Sequence, residues 1–376
     1  MTRQTGIGLE AVAERFAVPG RLVTIGPAGR GNINDTYLAV FRTAFSEQRV
    51  IIQRVNKSVF RHPAWIMANL RVLTEHAHRR IEAEADRADR IWQLPRIIPA
   101  KGGGDYLRDR AGDTWRALTL IASASSFERV QGAEHALEAG SVLGQFHRLV
   151  SDLDCARLRD TLPGFHETPA YLRRYDRTAG LKEGASRLKA SLEARRLGRF
   201  IEERRAFAGV LESARRRGEL SRRVIHGDPK VSNIMIDDLT GKGTSIVDLD
   251  TVKPGLTHYD FGDALRSSCN PAGEEAEDLT AIRFDTDLCE AFVKGYMARA
   301  RDFLTGADRR YLYDSIRLIA FELGLRFFED YLAGDRYFKV SSAEHNLRRA
   351  RVQFRLCESI EAREKAIRSV LEGFSR

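Results

Sequence analysis

The chain has 376 residues, of which 43% are hydrophobic and 30% are charged, and its formal net charge is +9. This length fits one large two-lobed unit or two ordinary domains. The sequence has no run of 18 apolar residues and no signal-peptide core, so we expect a cytoplasmic protein without a membrane span. The four cysteines are scattered, without a CxxC pair, which argues against disulfides and a zinc site.

The positive charge lies mostly in Arg-rich, helix-like stretches that also contain acids, such as residues 188–207. No alternation of aromatic and basic residues suggests base stacking. We therefore expect a solvated helix face rather than a nucleic-acid partner, with attraction of a small anionic ligand as a secondary role.

The first 126 residues have the periodicity of a small sheet with few helices. Apolar alternation and helical spacing predict the following elements: a helix within 1–18, strands at 22–25, 36–41 and 50–55, a helix over 63–90 and a strand at 115–121. From there to the end, helical patterns dominate, interrupted by short strand-like runs.

The loop between the first two strands is rich in glycine. Its sequence GPAGRG does not match a Walker A motif, because no Gly-Lys-Ser/Thr follows. Three glycines in six residues are typical of a hairpin turn. Backbone N–H groups in such a loop can also cradle phosphates, so Gly29 and Gly31 are candidate nucleotide-binding residues.

Residues 224–266 carry the most informative motif. An apolar pair runs into His-Gly-Asp, Asn233 follows Asp228 by five residues, and a later apolar run ends at Asp248 and Asp250. His-Gly-Asp alone, or the Asp-Leu-Asp of residues 248–250 alone, would indicate only a turn. Together, at this spacing, they match the phosphoryl-transfer template, in which an Asp and an Asn share a catalytic loop and a metal-binding Asp follows.

The segment HGDPKVSN at 226–233 resembles the catalytic loop of the aminoglycoside phosphotransferase family, which is related to choline and homoserine kinases. IVDLDTVKPG and YDFGDALR resemble its N-acetylhexosamine 1-kinase branch more specifically. GRGNINDTYLAV near the N-terminus and FELGLRFFEDYLAGDRYFK near the C-terminus agree with that branch. Residues 80–115 and 155–220 carry no such similarity.

The resemblance implies an α+β, two-lobed, protein-kinase-like fold. The small β-rich lobe would span residues 1–126 and bind the nucleotide phosphates; the mainly helical lobe would span 127–376. ATP would be the phosphoryl donor and Mg²⁺ the cofactor. Asp228 would accept or orient the attacking hydroxyl, Lys230 would contact the transferring phosphoryl group, and Asn233 with Asp248 would bind the metal.

In such a lobe, the cation that anchors the phosphates would be Arg54, in place of the usual lysine. Glu75 is the best candidate for its partner, although a surface role for Glu75 fits equally well. Asp260, although it heads an Asp-Phe-Gly string, would brace the catalytic loop through hydrogen bonds to its backbone. His226 would likewise hold the loop in shape. Asp250 has two equally plausible roles: it would bind the metal or the substrate, or it would hold neighbouring side chains in place.

The acceptor is indicated only by the C-terminal segment. Glu322, Arg326 and residues 329–330 lie on one helical face, where a polar stripe is normally solvent-facing. In the N-acetylhexosamine 1-kinases, residues matching Arg326 and Tyr337 contact the sugar, which implies phosphorylation of an anomeric hydroxyl. Another small alcohol (a different monosaccharide, a choline-like compound or an aminoglycoside), a pseudokinase and a basic nucleic-acid-binding protein remain alternatives. Oligomeric state is open.

Overall fold

The computed structural model describes residues 8–28, 33–84 and 90–374. The N-terminal part is an antiparallel sheet with strand order β1-β2-β3-β6-β4, in which β5 also pairs with β6. One short helix precedes the sheet and one long helix follows its third strand. The elements of this part are α1 (Leu9–Ala13), β1 (Arg21–Pro27), β2 (Asp35–Arg42), β3 (Glu47–Val55), α2 (Pro63–Glu84), β4 (Ile97–Ile98), β5 (Leu107–Arg108) and β6 (Thr114–Thr119).

The rest of the chain is mainly helical, with two small sheets of order β10-β9-β7 and β11-β8. Its strands are β7 (Ala124–Ser125), β8 (Arg223–Ile225), β9 (Ile234–Asp237), β10 (Gly243–Ile246) and β11 (Lys253–Gly255). Its helices are α3 (Ala133–Leu149), α4 (Thr168–Gly180), α5 (Lys182–Ala190), α6 (Leu192–Arg204), α7 (Val210–Arg216), α8 (Thr257–Ser268), α9 (Thr286–Ala300), α10 (Gly306–Arg310), α11 (Leu312–Ala333), α12 (His345–Ala362) and α13 (Glu364–Gly373).

This is the predicted α+β, two-lobed, kinase-like fold, and the strands expected at 22–25, 36–41, 50–55 and 115–121 all form. Since β7 ends at Ser125 and α3 begins at Ala133, we keep residue 126 as the proposed lobe boundary. Among the described residues, no helix combines the length and the apolar character needed to cross a membrane.

Alternation along β3 gives the N-terminal sheet two different faces. Val50 and Ile52 are fully buried in a small core with Phe41 and Trp115. Ile51 and Gln53 point the other way, into the cleft between the lobes. Since successive strand residues alternate between faces, one face of the sheet is core and the other lines a cavity.

The larger core lies among the C-terminal helices, where α3 and α9 pack closely against each other. A Cβ at Gly295 would lie 1.9 Å from the carbonyl oxygen of Leu137, so only glycine allows this approach. The close packing fixes α3, which carries His147 to the centre of the lobe, beside the catalytic loop.

Candidate active site

The catalytic loop joins β8 to β9 and is shaped by its backbone. Gly227 has φ +89°, and a Cβ at this position would lie 2.7 Å from the Thr251 carbonyl oxygen. Both the conformation and the close approach exclude larger residues. The His-Gly-Asp motif therefore needs its glycine for the turn that presents Asp228.

Asp260 holds this turn from below. Its carboxylate, fully buried, accepts hydrogen bonds from the backbone N–H of His226 at 2.7 Å and of Gly227 at 2.8 Å. His147 Nε2 lies 2.9 Å from the same carboxylate. Burial opposes ionisation, but these donors keep the pKa of Asp260 below its usual value. These bonds confirm the predicted bracing role.

His226 also supports the loop rather than the chemistry. Its Nε2 lies 3.0 Å from the Val247 carbonyl oxygen, and its Nδ1 accepts the Asp228 backbone N–H at 3.2 Å. Burial lowers the pKa of His226, so the neutral ring with the proton on Nε2 satisfies both bonds. The ring thereby links the catalytic loop to the residue that precedes Asp248.

Asp228, Lys230 and Asn233 form one contact group. Lys230 Nζ lies 3.1 Å from Asp228 Oδ2. Asn233 Nδ2 donates to the Asp228 carbonyl oxygen at 2.7 Å and to Oδ2 at 3.2 Å. Burial would raise the pKa of Asp228, but Lys230 outweighs it and the net pKa is lowered. The same attraction raises the pKa of Lys230, so both side chains are charged at neutral pH.

Asp248 follows β10 and has the left-handed conformation φ +63°, ψ +56°. The Val247 N–H donates to the Asn233 carbonyl oxygen at 2.9 Å, which places the two predicted metal ligands on adjoining backbone segments. Although its side chain is open to the cleft, enclosure by protein and the charges of Asp250 and Asp228 raise the pKa of Asp248 to about 7. A bound cation would relieve this repulsion.

The donor set suits Mg²⁺. Asn233 uses its amide nitrogen toward Asp228, which leaves its side-chain oxygen for a ligand. An amide oxygen with a carboxylate matches the few protein ligands that Mg²⁺ takes beside phosphates and water. Within the described ranges, no three or more His, Cys, Asp or Glu side chains gather into a metal cage.

A cavity of about 310 Å³, the candidate nucleotide cavity, lies between the sheet and Asp248. Its buried cation is Arg116 on β6, which forms an ion pair with Asp250 at 2.5 Å. Two further bonds, at 2.7 and 2.9 Å, join this guanidinium to Gln53 Oε1. Asp250 also accepts a hydrogen bond from Asn34 at 2.7 Å, so its carboxylate is held between Arg116 and Asn34.

Arg54 lies elsewhere. It shares the face of β3 with Val50 and Ile52, on the side opposite Gln53, and pairs with Asp35. The predicted pair with Glu75 is wrong, because Glu75 lies 2.7 Å from Arg71 instead. Phosphate binding by Arg54 stays a prediction. The predicted glycine ligands, Gly29 and Gly31, lie outside the described residues.

A second cavity, of about 240 Å³, opens on the other side of Asp228. Lys230, Arg326 and Tyr337 line it together with Asp228, so the structure brings the predicted catalytic and acceptor-binding residues to one site. The Arg326 guanidinium stacks near the rings of Phe165, Tyr171 and Phe338, at 4.9, 5.3 and 5.5 Å from their centres.

The three acids of the expected solvent-facing stripe on α11, Glu322, Glu329 and Asp330, are buried. Glu322 contacts His166 and Thr168, and Glu329 contacts Arg174 and Thr178. Asp330, 1% exposed, accepts the backbone N–H groups of residues 336, 337 and 338 at 2.8–2.9 Å. The carboxylate of Asp330 thus fixes the segment that presents Tyr337.

Two cavity residues were missed by the sequence reasoning. Arg116 stands in the apolar run TWRALT, and a single arginine in a buried strand is a usable signal. His166 lines the second cavity, the candidate acceptor cavity. Its Nδ1 contacts Glu322 at 2.9 Å, and its Nε2 lies 2.7 Å from the Gly227 carbonyl oxygen. It falls in the stretch without recognisable similarity, so no local pattern identified it.

Comparison with known proteins agrees with this geometry. Three solved structures share the fold along nearly the whole chain. The first is a microcompartment-associated aminopropanol kinase, with 18% identity, coverage of 96% of this chain and 97% of that chain, and a TM-score of 0.57. The second is an aminoglycoside phosphotransferase from Alicyclobacillus acidocaldarius, with 16% identity, coverage of 99% of this chain and 98% of that chain, and a TM-score of 0.58. The third is a choline kinase from Cryptosporidium parvum, with 12% identity, coverage of 93% of each chain, and a TM-score of 0.53.

The sequence model of the APH family, described as the phosphotransferase enzyme family, matches residues 24–303. That match covers well over half of the chain and includes Gln53, Asp228 and Asp248, whereas Arg326 and Tyr337 lie beyond its end. The protein therefore belongs to the aminoglycoside phosphotransferase family and is a phosphotransferase.

Proposed function

We propose that this protein is an ATP-dependent small-molecule kinase that phosphorylates the anomeric hydroxyl of an N-acetylhexosamine or a related sugar. The observation that carries the kinase part of the proposal is the position of Asp228 relative to Asp248, whereas the sugar and its anomeric hydroxyl rest on the resemblance around Arg326 and Tyr337. Asp248 lines the nucleotide cavity, whereas Asp228 lines the acceptor cavity with Arg326 and Tyr337. A γ-phosphoryl group at the junction of the two cavities would face the hydroxyl held by Asp228.

Asp228 would act first by orientation. Its lowered pKa makes it a weak base, so it would accept a hydrogen bond from the attacking hydroxyl and take the proton late, which suits a loose phosphoryl-transfer transition state. Lys230, 3.1 Å away, would offset the charge on the transferring oxygens. Asn233 and Asp248 would hold Mg²⁺, which would supply positive charge to offset that of the phosphates.

The charges of the acceptor cavity argue against a cationic amine as acceptor, although several structural neighbours are named for amine-containing substrates. Its acids other than Asp228 are all neutralised. Asp263 is held by Arg266 at 2.8 Å, and Glu274 pairs with the same guanidinium. Glu275 pairs with Arg349 and His345. No free acidic wall remains among the described lining residues, so a sugar without a cationic group fits better than choline or an aminoglycoside.

The test is a screen of free monosaccharides for ATP-dependent ADP release, followed by ³¹P NMR of the product. We expect a sugar 1-phosphate without a reducing end. The matching 1-O-methyl glycoside should be inert, because it lacks the nucleophile, while still competing for the cavity. Rapid ADP release with the methyl glycoside would refute the anomeric assignment and leave the kinase assignment intact. Ethanolamine and choline belong in the same screen as the alternative acceptors.

A further inference from the structure

A third cavity, of about 630 Å³, adjoins the acceptor cavity. The two share one wall, formed by Val59, Leu162, Phe165, Arg326, Tyr337 and Phe338. The remaining wall comes from residues 61–65 around the start of α2, from residues 160, 161, 163 and 164, and from α4. Since this volume exceeds that of the acceptor cavity itself, a ligand that reacts at Asp228 has room to extend past Arg326.

The shared wall offers unused hydrogen-bond donors. Arg326 makes no ion pair and no hydrogen bond with any residue in the described part of the chain; its observed contacts are the three aromatic rings. Such rings hold a guanidinium in place through its faces and leave its N–H donors at the edge. An arginine held in this way is ready to donate to oxygen atoms from either cavity.

The far wall is also cationic. Arg61 and Arg177 line it, are exposed, and form no ion pair or hydrogen bond with the residues that the structure describes. Arg174 is neutralised by Glu329 at 2.5 Å. The only acid of the described lining, Asp160, is itself paired with Lys253 at 3.0 Å. Arg61, Arg177 and Arg326 thus line one concave surface, and none of the three forms an ion pair within the described part of the chain.

We propose that this cavity, the arginine subsite, binds an anionic group of the acceptor, a carboxylate or a phosphate, while Asp228 holds its reacting hydroxyl. This rests on the proposed kinase function and narrows its substrate class to acidic sugars or sugar phosphates. Planar guanidinium donors match the oxygens of both anions. The position of Arg326 between the cavities lets one ligand use both.

The experiment compares neutral and anionic forms of the same sugar: glucose with glucose 6-phosphate and glucuronate, and N-acetylglucosamine with its 6-phosphate. The kcat/KM of ADP release is measured for the wild type and for Arg61→Ala/Arg177→Ala. Arg173→Ala is the matched control, because Arg173 is exposed on α4, as Arg177 is, and lines neither the acceptor cavity nor the arginine subsite.

We expect the wild type to prefer an anionic form. In the double variant, the ratio of kcat/KM for the anionic form to kcat/KM for the neutral form should fall by about fivefold or more, because two solvent-exposed ion pairs with the ligand are lost. Arg173→Ala should keep the preference. Raising the salt concentration from 0.05 to 0.5 M should reduce the preference in the wild type, because exposed charges are screened.

A wild type that prefers every neutral form, or a preference that survives in the double variant, would overturn the proposal. If inorganic phosphate increases ADP release with a neutral sugar, the arginine subsite binds a free anion, and its role as an acceptor subsite is overturned. If no sugar supports ADP release, the sugar-kinase proposal fails separately. Calorimetric binding of glucose 6-phosphate and glucose to the same variants then decides the arginine subsite without turnover.

Discussion

Replacing Asp248 with Asn should make the metal-free protein more stable at neutral pH. Burial by the surrounding protein and the charges of Asp250 and Asp228 raise the pKa of Asp248 to about 7. The folded state therefore favours the protonated carboxyl, whereas the unfolded chain ionises near pH 4. Asn cannot ionise, and it tolerates the left-handed backbone conformation of this position. The variant thus removes the repulsion without disturbing the loop.

The expected size follows from linkage. As pH rises from about 4 to about 7, the wild type loses stability relative to the variant, since its folded state binds a proton that the unfolded state has released. A shift of about 3 pKa units corresponds to at most ~4 kcal/mol. Because the Asp248 side chain is open to solvent in the cleft, screening reduces the expected difference in the free energy of unfolding to about 1–2 kcal/mol. Above pH 7 the difference should stay constant.

The measurement is urea unfolding of wild type and Asp248→Asn at pH 5, 6, 7 and 8 in EDTA. Asp238→Asn, which removes one exposed carboxylate away from the site, controls for net charge. Saturating Mg²⁺ with ADP should narrow the difference, since the cation stabilises the ionised wild type. A difference that does not change with pH, or that grows as pH falls, would refute the electrostatic reasoning.

Three further predictions concern catalysis and the two cavities. Asp228→Asn should lower kcat by about 10²–10⁴-fold while calorimetry still detects nucleotide binding; near-normal turnover would exclude the assigned role. Arg326→Ala should raise the acceptor KM by about 10- to 150-fold, because hydrogen bonds to a charged group are lost, and leave the ATP KM nearly unchanged; equal damage to both would make Arg326 structural. Arg116→Ala should cost about 3–5 kcal/mol in urea unfolding, because Asp250 is left buried and unpaired, whereas Arg54→Ala should cost about 1 kcal/mol or less. If Arg54→Ala raises the ATP KM more than Arg116→Ala, the phosphate-anchoring role belongs to Arg54.

The features that the sequence predicted are local ones. Alternation identified the strands β1 to β3, and the spacing within residues 226–250 brought Asp228, Asn233 and Asp248 onto one catalytic segment. Short loops between short strands leave few ways to arrange such residues. Arg326 and Tyr337 were placed by resemblance, and the structure brings them to the cavity that Asp228 lines.

The features that were missed depend on contacts between distant segments. Arg116 enters the cleft because β6 pairs with β3 in a register that sets it opposite Gln53, 63 residues earlier. A shift of one residue would have turned Arg54 into the cleft instead. Glu322 looked solvent-facing because its periodicity is polar, and only the tertiary fold supplies the buried His166 that pairs with it.

The carboxylate of Asp330 has a consequence for how this enzyme could change its substrate. It holds the backbone around Tyr337, and Asn346 on α12 donates to it at 3.0 Å and to Asp335 at 2.9 Å. Asn346 is fully buried and lines neither the nucleotide nor the acceptor cavity. Substitutions there would shift the acceptor wall while Asp228 and Asp248 keep their places. Acceptor preference can therefore drift through mutations in a helix outside the cleft, without passing through an inactive enzyme.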